Sequence, residues 1–296
     1  MPVQRFRISH STTYRYSQTV TLSQHVVHLE PRETPTQKCL SYALSAAPEP
    51  SSRRADADFF GNPVSYLTLQ DDHTLLTVLA VSEVEVMPPP LLDPEVTMPW
   101  EQVHDFISAD PADPSRDAVQ YCFDSPLTMW SRDLAGYALM SFVPGRPVLA
   151  AAMDLTWRIH DEFRYDPTVT DVTTPVDEAF DLKAGVCQDL AHVQIACMRA
   201  LGLPVRYVSG YLLTRPPEGQ ARLVGADASH AWVSVYCPGH GWVDLDPTNN
   251  LVVSTEHITS AWGRDYGDVS PISGVITGGG THTVDVSVDV APMDGD

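Results

Sequence analysis

Residues 186–201, VCQDLAHVQIACMRAL, constrain this chain more than any other stretch. At the helical period, Val186, Leu190, Val193, Cys197 and Leu201 fall on one stripe, and Cys187, Ala191, Ile195 and Met198 fall on the stripe beside it. Gln188, His192 and Arg199 make a polar strip. A helix apolar over so much of its circumference must be covered from several sides, so it is expected to be the spine of a domain. Gly202 should end it, and Pro204 forbids its continuation.

The flanking segments give that spine its context. Residues 3–86 alternate in period two, as in FRISHSTTYRYS, VSYLTLQ and TLLTVLAVSEVEV, and Gly61-Asn62 reads as a hairpin turn. The stretch MPPPLLDPEVTMP then forms a stiff, extended boundary. Beyond it the pattern becomes helical: Val148, Ala152, Leu155 and Ile159 share one helix face, and 177–182 reads as a short helix. After Pro204 strands return in VRYVSGYLL, HAWVSVY, GWVDLDP and HTVDVSVDV. Strands, then helices, then strands without βαβ alternation predict an α+β fold.

Composition narrows the functions. A formal charge of -20 with no basic stripe argues against nucleic acid or an anionic membrane as partner. No apolar run approaches the roughly 18 residues that span a bilayer, and MPVQRFRISH has no apolar signal-peptide region. Cys39, Cys122, Cys187, Cys197 and Cys237 are odd in number, scattered and free of any CxxC. That pattern fits neither a disulfide framework nor a zinc site, and it suggests the reducing cytoplasm.

Cys197 lies mid-helix on the core face and reads as structural, whereas Cys187 sits in the first turn. Backbone N–H groups there lack intrahelical partners, and their partial positive charge stabilises a thiolate and can hold a developing oxyanion. Gly185 would let a substrate chain approach closely. A nucleophile also needs a base. His192 lies five residues on, on another side of the helix, and is expected to be a hydrogen-bonded helix residue.

The hairpin SHAWVSVYCPGHGWVDLDPTN can supply one. His230, Trp232, Ser234 and Tyr236 share one strand face, and Trp242, Asp244 and Asp246 share the facing one. With Cys237-Pro238-Gly239 as the loop, Tyr236 faces His240 and His230 falls directly opposite Asp246. If the loop is two residues longer, parity holds and the pair becomes diagonal. Either way a carboxylate can fix the tautomer of an imidazole and support its charge.

GVCQDLAHVQIACMRALGLPVRYVSGYL, SHAWVSVY and GWVDLDPTNN, together with FRYDP and GRDYGDVSPISGV, resemble the bacterial branch of the transglutaminase-like superfamily, whose members include presumed cysteine proteases. RFRISHSTTYRY and DFFGN resemble that branch's N-terminal β domain. The likeness implies an antiparallel β-sandwich over residues 1–90, a proline-rich linker at 91–100, and a papain-like or transglutaminase-like core over 101–296 with helices packed on an antiparallel sheet. It also implies Cys187 as nucleophile, His230 as base and Asp246 as orienter, in agreement with the strand parity. Gly185, Gln188, Trp232 and Tyr266 are the candidate substrate-binding residues, with Arg264 and Asp265 on the same loop as Tyr266. Animal transglutaminases place a tryptophan at the oxyanion; here Trp130 and Trp157 are candidates without a motif to choose between them. No acidic loop implies calcium, and no metal or other cofactor is expected.

The expected chemistry is acyl transfer on a peptide or protein amide through a thioester. Hydrolysis is the leading outcome. Transfer to an amine and a non-catalytic scaffold of the same fold are the alternatives.

Overall fold

The computed structural model describes residues 2–109, 114–214 and 229–293. In chain order its strands and helices are β1 (Gln4–Val27), β2 (Gln37–Ala47), β3 (Ser52–Ala57), β4 (Pro63–Leu69), β5 (His73–Val86), α1 (Val103–Ala109), α2 (Arg132–Leu139), α3 (Val148–Glu162), β6 (Arg164–Tyr165), α4 (Val176–Leu182), β7 (Ala184–Gly185), α5 (Cys187–Arg199), β8 (Val205–Leu212), β9 (Ser229–Cys237), β10 (Gly241–Asp246), β11 (Leu251–Val252), β12 (His257–Gly263), α6 (Tyr266–Val269), β13 (Ile272–Gly278) and β14 (His282–Pro292).

The N-terminal sheet is organised by β1, which is long enough to serve two neighbourhoods. Its first half pairs with β5 on one side and β14 on the other; its second half pairs with β4 and β13. The sheet curls on itself through this shared strand. Leu67 and Leu69 of β4 therefore meet Leu76, Val78 and Ala80 of β5 in one apolar core, which makes the sandwich. The β3–β4 hairpin turns at Gly61, whose φ of 72° suits glycine.

This topology corrects the expected domain limits. Residues 272–292 fall within the core expected at 101–296, yet as β13 and β14 they pair with β1 and complete the N-terminal sheet. Alternation reveals that a strand has a buried face; it does not reveal which sheet supplies the cover.

In the second unit, five antiparallel strands in the order β11-β10-β9-β8-β12 carry α5 across one face. Every residue from Gln188 to Arg199 is buried, with α2, α3 and α4 closing the other sides. The polar residues survive burial because each finds partners. Gln194 Nε2 donates to Thr156 Oγ1 at 2.8 Å, and the Arg199 guanidinium donates to Thr128 Oγ1 at 2.6 Å and to the Arg264 carbonyl at 2.8 Å.

The two units are joined firmly. Phe6, Ile8, Val84, Val86, Val288 and Val290 of the first sheet pack on Tyr211, Leu213 and Ile258 of the second. Buried Asn62 bonds both backbone groups of Trp262, accepting its N–H at 2.9 Å and donating to its carbonyl at 2.8 Å. Arg32 stacks on the Trp262 ring, 3.5 Å from its centroid.

Candidate active site

Cys187 is the first residue of α5 and the one residue of that helix left partly exposed. The residues before it are held in place. Arg164 and Tyr165 pair in parallel with Ala184 and Gly185. Asp189 reaches back to accept the Val186 N–H at 2.8 Å and the Thr170 hydroxyl at 2.7 Å, capping the helix start. The remaining four thiols are pushed up by burial, Cys39 to about 11, Cys122 and Cys237 to about 12, and Cys197 further still.

His230, near the start of β9, faces that thiol. Its Nε2 lies 2.7 Å from Asp246 Oδ2 and 3.4 Å from Asn249 Nδ2, and the ring lines one cavity with Cys187, whose thiol favours its charged form. Burial depresses the ring's pKa, but the bonds to Asp246 and Cys187 more than reverse this and raise it to about 10. Burial would likewise raise the Asp246 pKa; hydrogen bonds from His230, His257 and Asn249 outweigh it and hold the carboxyl well below the usual range. Asp246 is fully buried and saturated with donors. The backbone N–H groups of Thr248 and Asn249 reach Oδ1 at 2.9 and 3.1 Å, and Asn249 Nδ2 reaches Oδ2 at 2.7 Å.

The strand register departs from the direct pairing. Tyr236 pairs with Trp242 and Ser234 with Asp244, so the longer-loop alternative holds. His230 and Asp246 are diagonal neighbours, still on one face, because a shift of two residues preserves parity.

His257 is the residue the sequence did not point to. It lies on β12, its Nε2 is 3.1 Å from the same Asp246 oxygen, and its ring stands edge-on to Trp232 at 5.3 Å. The donor atoms of His230, Asp246 and His257 lie within 4.8 Å of one another, close enough to hold a metal ion, although both nitrogens already bond the carboxylate.

A cavity of about 280 Å³ opens over Cys187 and His230. Of the substrate-binding candidates, Gln188 and Tyr266 line it; the Gln188 amide also donates to the Val172 carbonyl at 3.1 Å. Gly185 and Trp232 are not among its lining residues. A Cβ on Gly185 would stand 2.5 Å from Asp189 Oδ2, so the glycine makes room for the helix cap. Trp232 is wholly buried, donates to Asp244 Oδ2 at 3.1 Å and braces both histidines. Arg264 is spent on Asp268, and Asp265 on the N–H groups of Leu127 and Gly267. His192 accepts the Tyr266 N–H at 3.2 Å, and burial lowers its pKa to about 4. Trp130 and Trp157 stand about half exposed away from the cavity, whereas Tyr165 and Tyr207 lie near enough to Cys187 for its charge to add to the burial that raises their pKa values.

The sequence model of the bacterial transglutaminase-like N-terminal region matches residues 6–85, and that of the transglutaminase-like superfamily matches residues 143–247. An uncharacterized protein of Mycobacterium tuberculosis is 40% identical over 99% of this chain and 94% of its own length. Another, from Mycobacterium leprae, is 31% identical over 98% and 99%.

The chain belongs to the transglutaminase-like superfamily.

Within that superfamily, the crystal structure of a Cytophaga hutchinsonii protein provisionally named a cysteine protease superposes with a TM-score of 0.76 at 22% identity, over 100% of this chain and 93% of that one, which establishes a shared fold. The protein-glutamine gamma-glutamyltransferase of Pseudomonas aeruginosa is 36% identical over 92 residues, 30% of this transglutaminase-like chain and 14% of that enzyme. Among the described residues no helix is long and apolar enough to cross a membrane.

Proposed function

We propose that this protein is a cysteine-dependent acyl-transfer enzyme acting on amide bonds of peptides or proteins, with Cys187 as nucleophile, His230 as acid and base, and Asp246 as orienter. The observation that carries the proposal is the position of the His230 ring, 2.7 Å from the Asp246 carboxylate and lining one cavity with the helix-start thiol. The sulfur of Cys187 attacks the carbonyl carbon, and the carbonyl electrons move onto oxygen, where helix-start N–H groups receive them. As the tetrahedral species collapses, the C–N bond breaks and His230 gives its proton to the leaving amine. A thioester remains. Water then attacks it, passing one proton to His230, and the thiolate leaves with release of the carboxylic acid.

An amine could replace that water. The likeness over 92 residues to a protein-glutamine gamma-glutamyltransferase supports this second outcome. Hydrolysis is preferred because it needs no second acceptor site shielded from solvent. The five free cysteines suit a reducing compartment, and we take the cytoplasm as its location.

The test is mass spectrometry of the purified protein incubated with a peptide library and a primary amine. Cleaved peptides or deamidated glutamines indicate hydrolysis, and amine adducts indicate transfer. Loss of both in Cys187→Ala ties the chemistry to the thiol. Products that persist in Cys187→Ala would overturn the proposal.

A further inference from the structure

Part of the cavity over Cys187 is built by the other unit. His10, Thr12 and Tyr14 alternate along β1, and the register sets Thr12 against Val286 and Tyr14 against Val284 on β14. Cross-strand partners share a face, so these side chains form one continuous surface. With Ile272 of β13 they line the same cavity as Cys187 and His230.

The surface is fixed before any ligand arrives. His10 Nδ1 lies 2.9 Å from the Tyr211 hydroxyl of the second unit, and the apolar seam of Phe6 and Ile8 lies just beyond it. Burial lowers the His10 pKa to about 4, so the ring is neutral. Val284 and Val286 remain 45% and 56% exposed, available for contact.

The lining is also uncharged. In a chain of net charge -20, no Asp, Glu, Lys or Arg lines the cavity among the described residues. Hydroxyls of Thr12, Tyr14, Ser209, Ser229 and Tyr266 interrupt an apolar surface. An ionised substituent entering there gives up water and meets no fixed counter-charge beyond the catalytic pair.

Building on the acyl transfer proposed above, we infer that the N-terminal sheet is the selecting wall of the cleft, and that the cleft takes acyl donors whose side chain beside the scissile carbonyl is uncharged. Tyr14, Val284 and Val286 are the residues that touch that side chain. The C-terminal strands β13 and β14 thereby serve specificity.

The experiment uses three tripeptide chloromethyl ketones differing only in the residue beside the ketone: Leu, Glu or Lys. Each alkylates the thiolate with loss of chloride, and labelling of Cys187 is followed by mass spectrometry. Rates are divided by that of iodoacetamide on the same protein. The Leu reagent should react at least about tenfold faster than both charged ones. Val286→Glu should raise the Lys:Leu ratio by about tenfold, and Val284→Lys should raise the Glu:Leu ratio by a similar amount. Equal wild-type rates, ratios unmoved in both variants, or labelling by iodoacetamide alone would each overturn the inference and leave the acyl-transfer reading standing. Failure of every reagent, iodoacetamide included, to label Cys187 would overturn both.

Discussion

His257 and His230 share one oxygen of Asp246, at 3.1 and 2.7 Å. An ionised carboxylate can only accept, so both bonds carry their proton on nitrogen. The second histidine gives the carboxylate a further bond, from a strand that does not carry His230. His257→Leu should lower stability by about 1–3 kcal/mol and slow alkylation of Cys187. His257→Gln, which can still donate, should recover much of both. Thermal unfolding and iodoacetamide labelling measure the two effects, and an unaltered His257→Leu protein would rule out this bracing.

The charge of Asp246 sets the titration of His230. Asp246→Asn keeps the shape and removes the charge, leaving burial less opposed. The ring, raised to about 10 in the wild type, should then titrate at least about two units lower, as read from its carbon-bound protons by NMR.

A pH dependence of stability follows, with its sign. The folded ring holds its proton more tightly than an unfolded histidine of pKa about 6.5. Its contribution is therefore complete below that pH and is lost as pH climbs toward about 10. Asp246, depressed in the fold, contributes above the usual carboxylate range and loses that contribution as acid protonates it. Denaturant unfolding from pH 3 to 10 should give a plateau between these limits, steeper on both sides than in Asp246→Asn.

Gly185→Ala places a methyl carbon 2.5 Å from Asp189 Oδ2 and 2.7 Å from its Cβ. Asp189 must then release the Val186 N–H, loosening the turn that presents Cys187. The expected cost is about 1–3 kcal/mol with a marked fall in labelling rate. A fully stable variant would show that the helix start can shift freely.

Asn62→Ala strips the partners from the N–H and carbonyl of Trp262 at the seam between the units. The loss should be about 2–5 kcal/mol, seen as a lower urea midpoint. A shift under half a kcal/mol would mean that other contacts hold the seam.

How much of this was legible depends on the range of the interaction. Helix α5 could be read because its apolar stripes repeat within one element. The facing of His230 and Asp246 could be read because parity along a strand is fixed, while their register could not, since Gly239 and Gly241 both take positive φ and lengthen the turn. His257 left no local trace; its place beside Asp246 exists only once β12 returns across the sheet beside β8. Trp232 shares a face with His230 in the sequence pattern, but packing seals it inside. The wall of Thr12, Tyr14, Val284 and Val286 joins residues from opposite ends of the chain, and no window of sequence contains them both.

That last junction bears on how the chain is made. The first half of β1 cannot gain its β14 neighbour until residues 282–292 have left the ribosome, so an early strand waits for one made more than 250 residues later. Such distant closure slows folding, and it makes a translation product stopped after α6 an open-edged sheet exposed to aggregation.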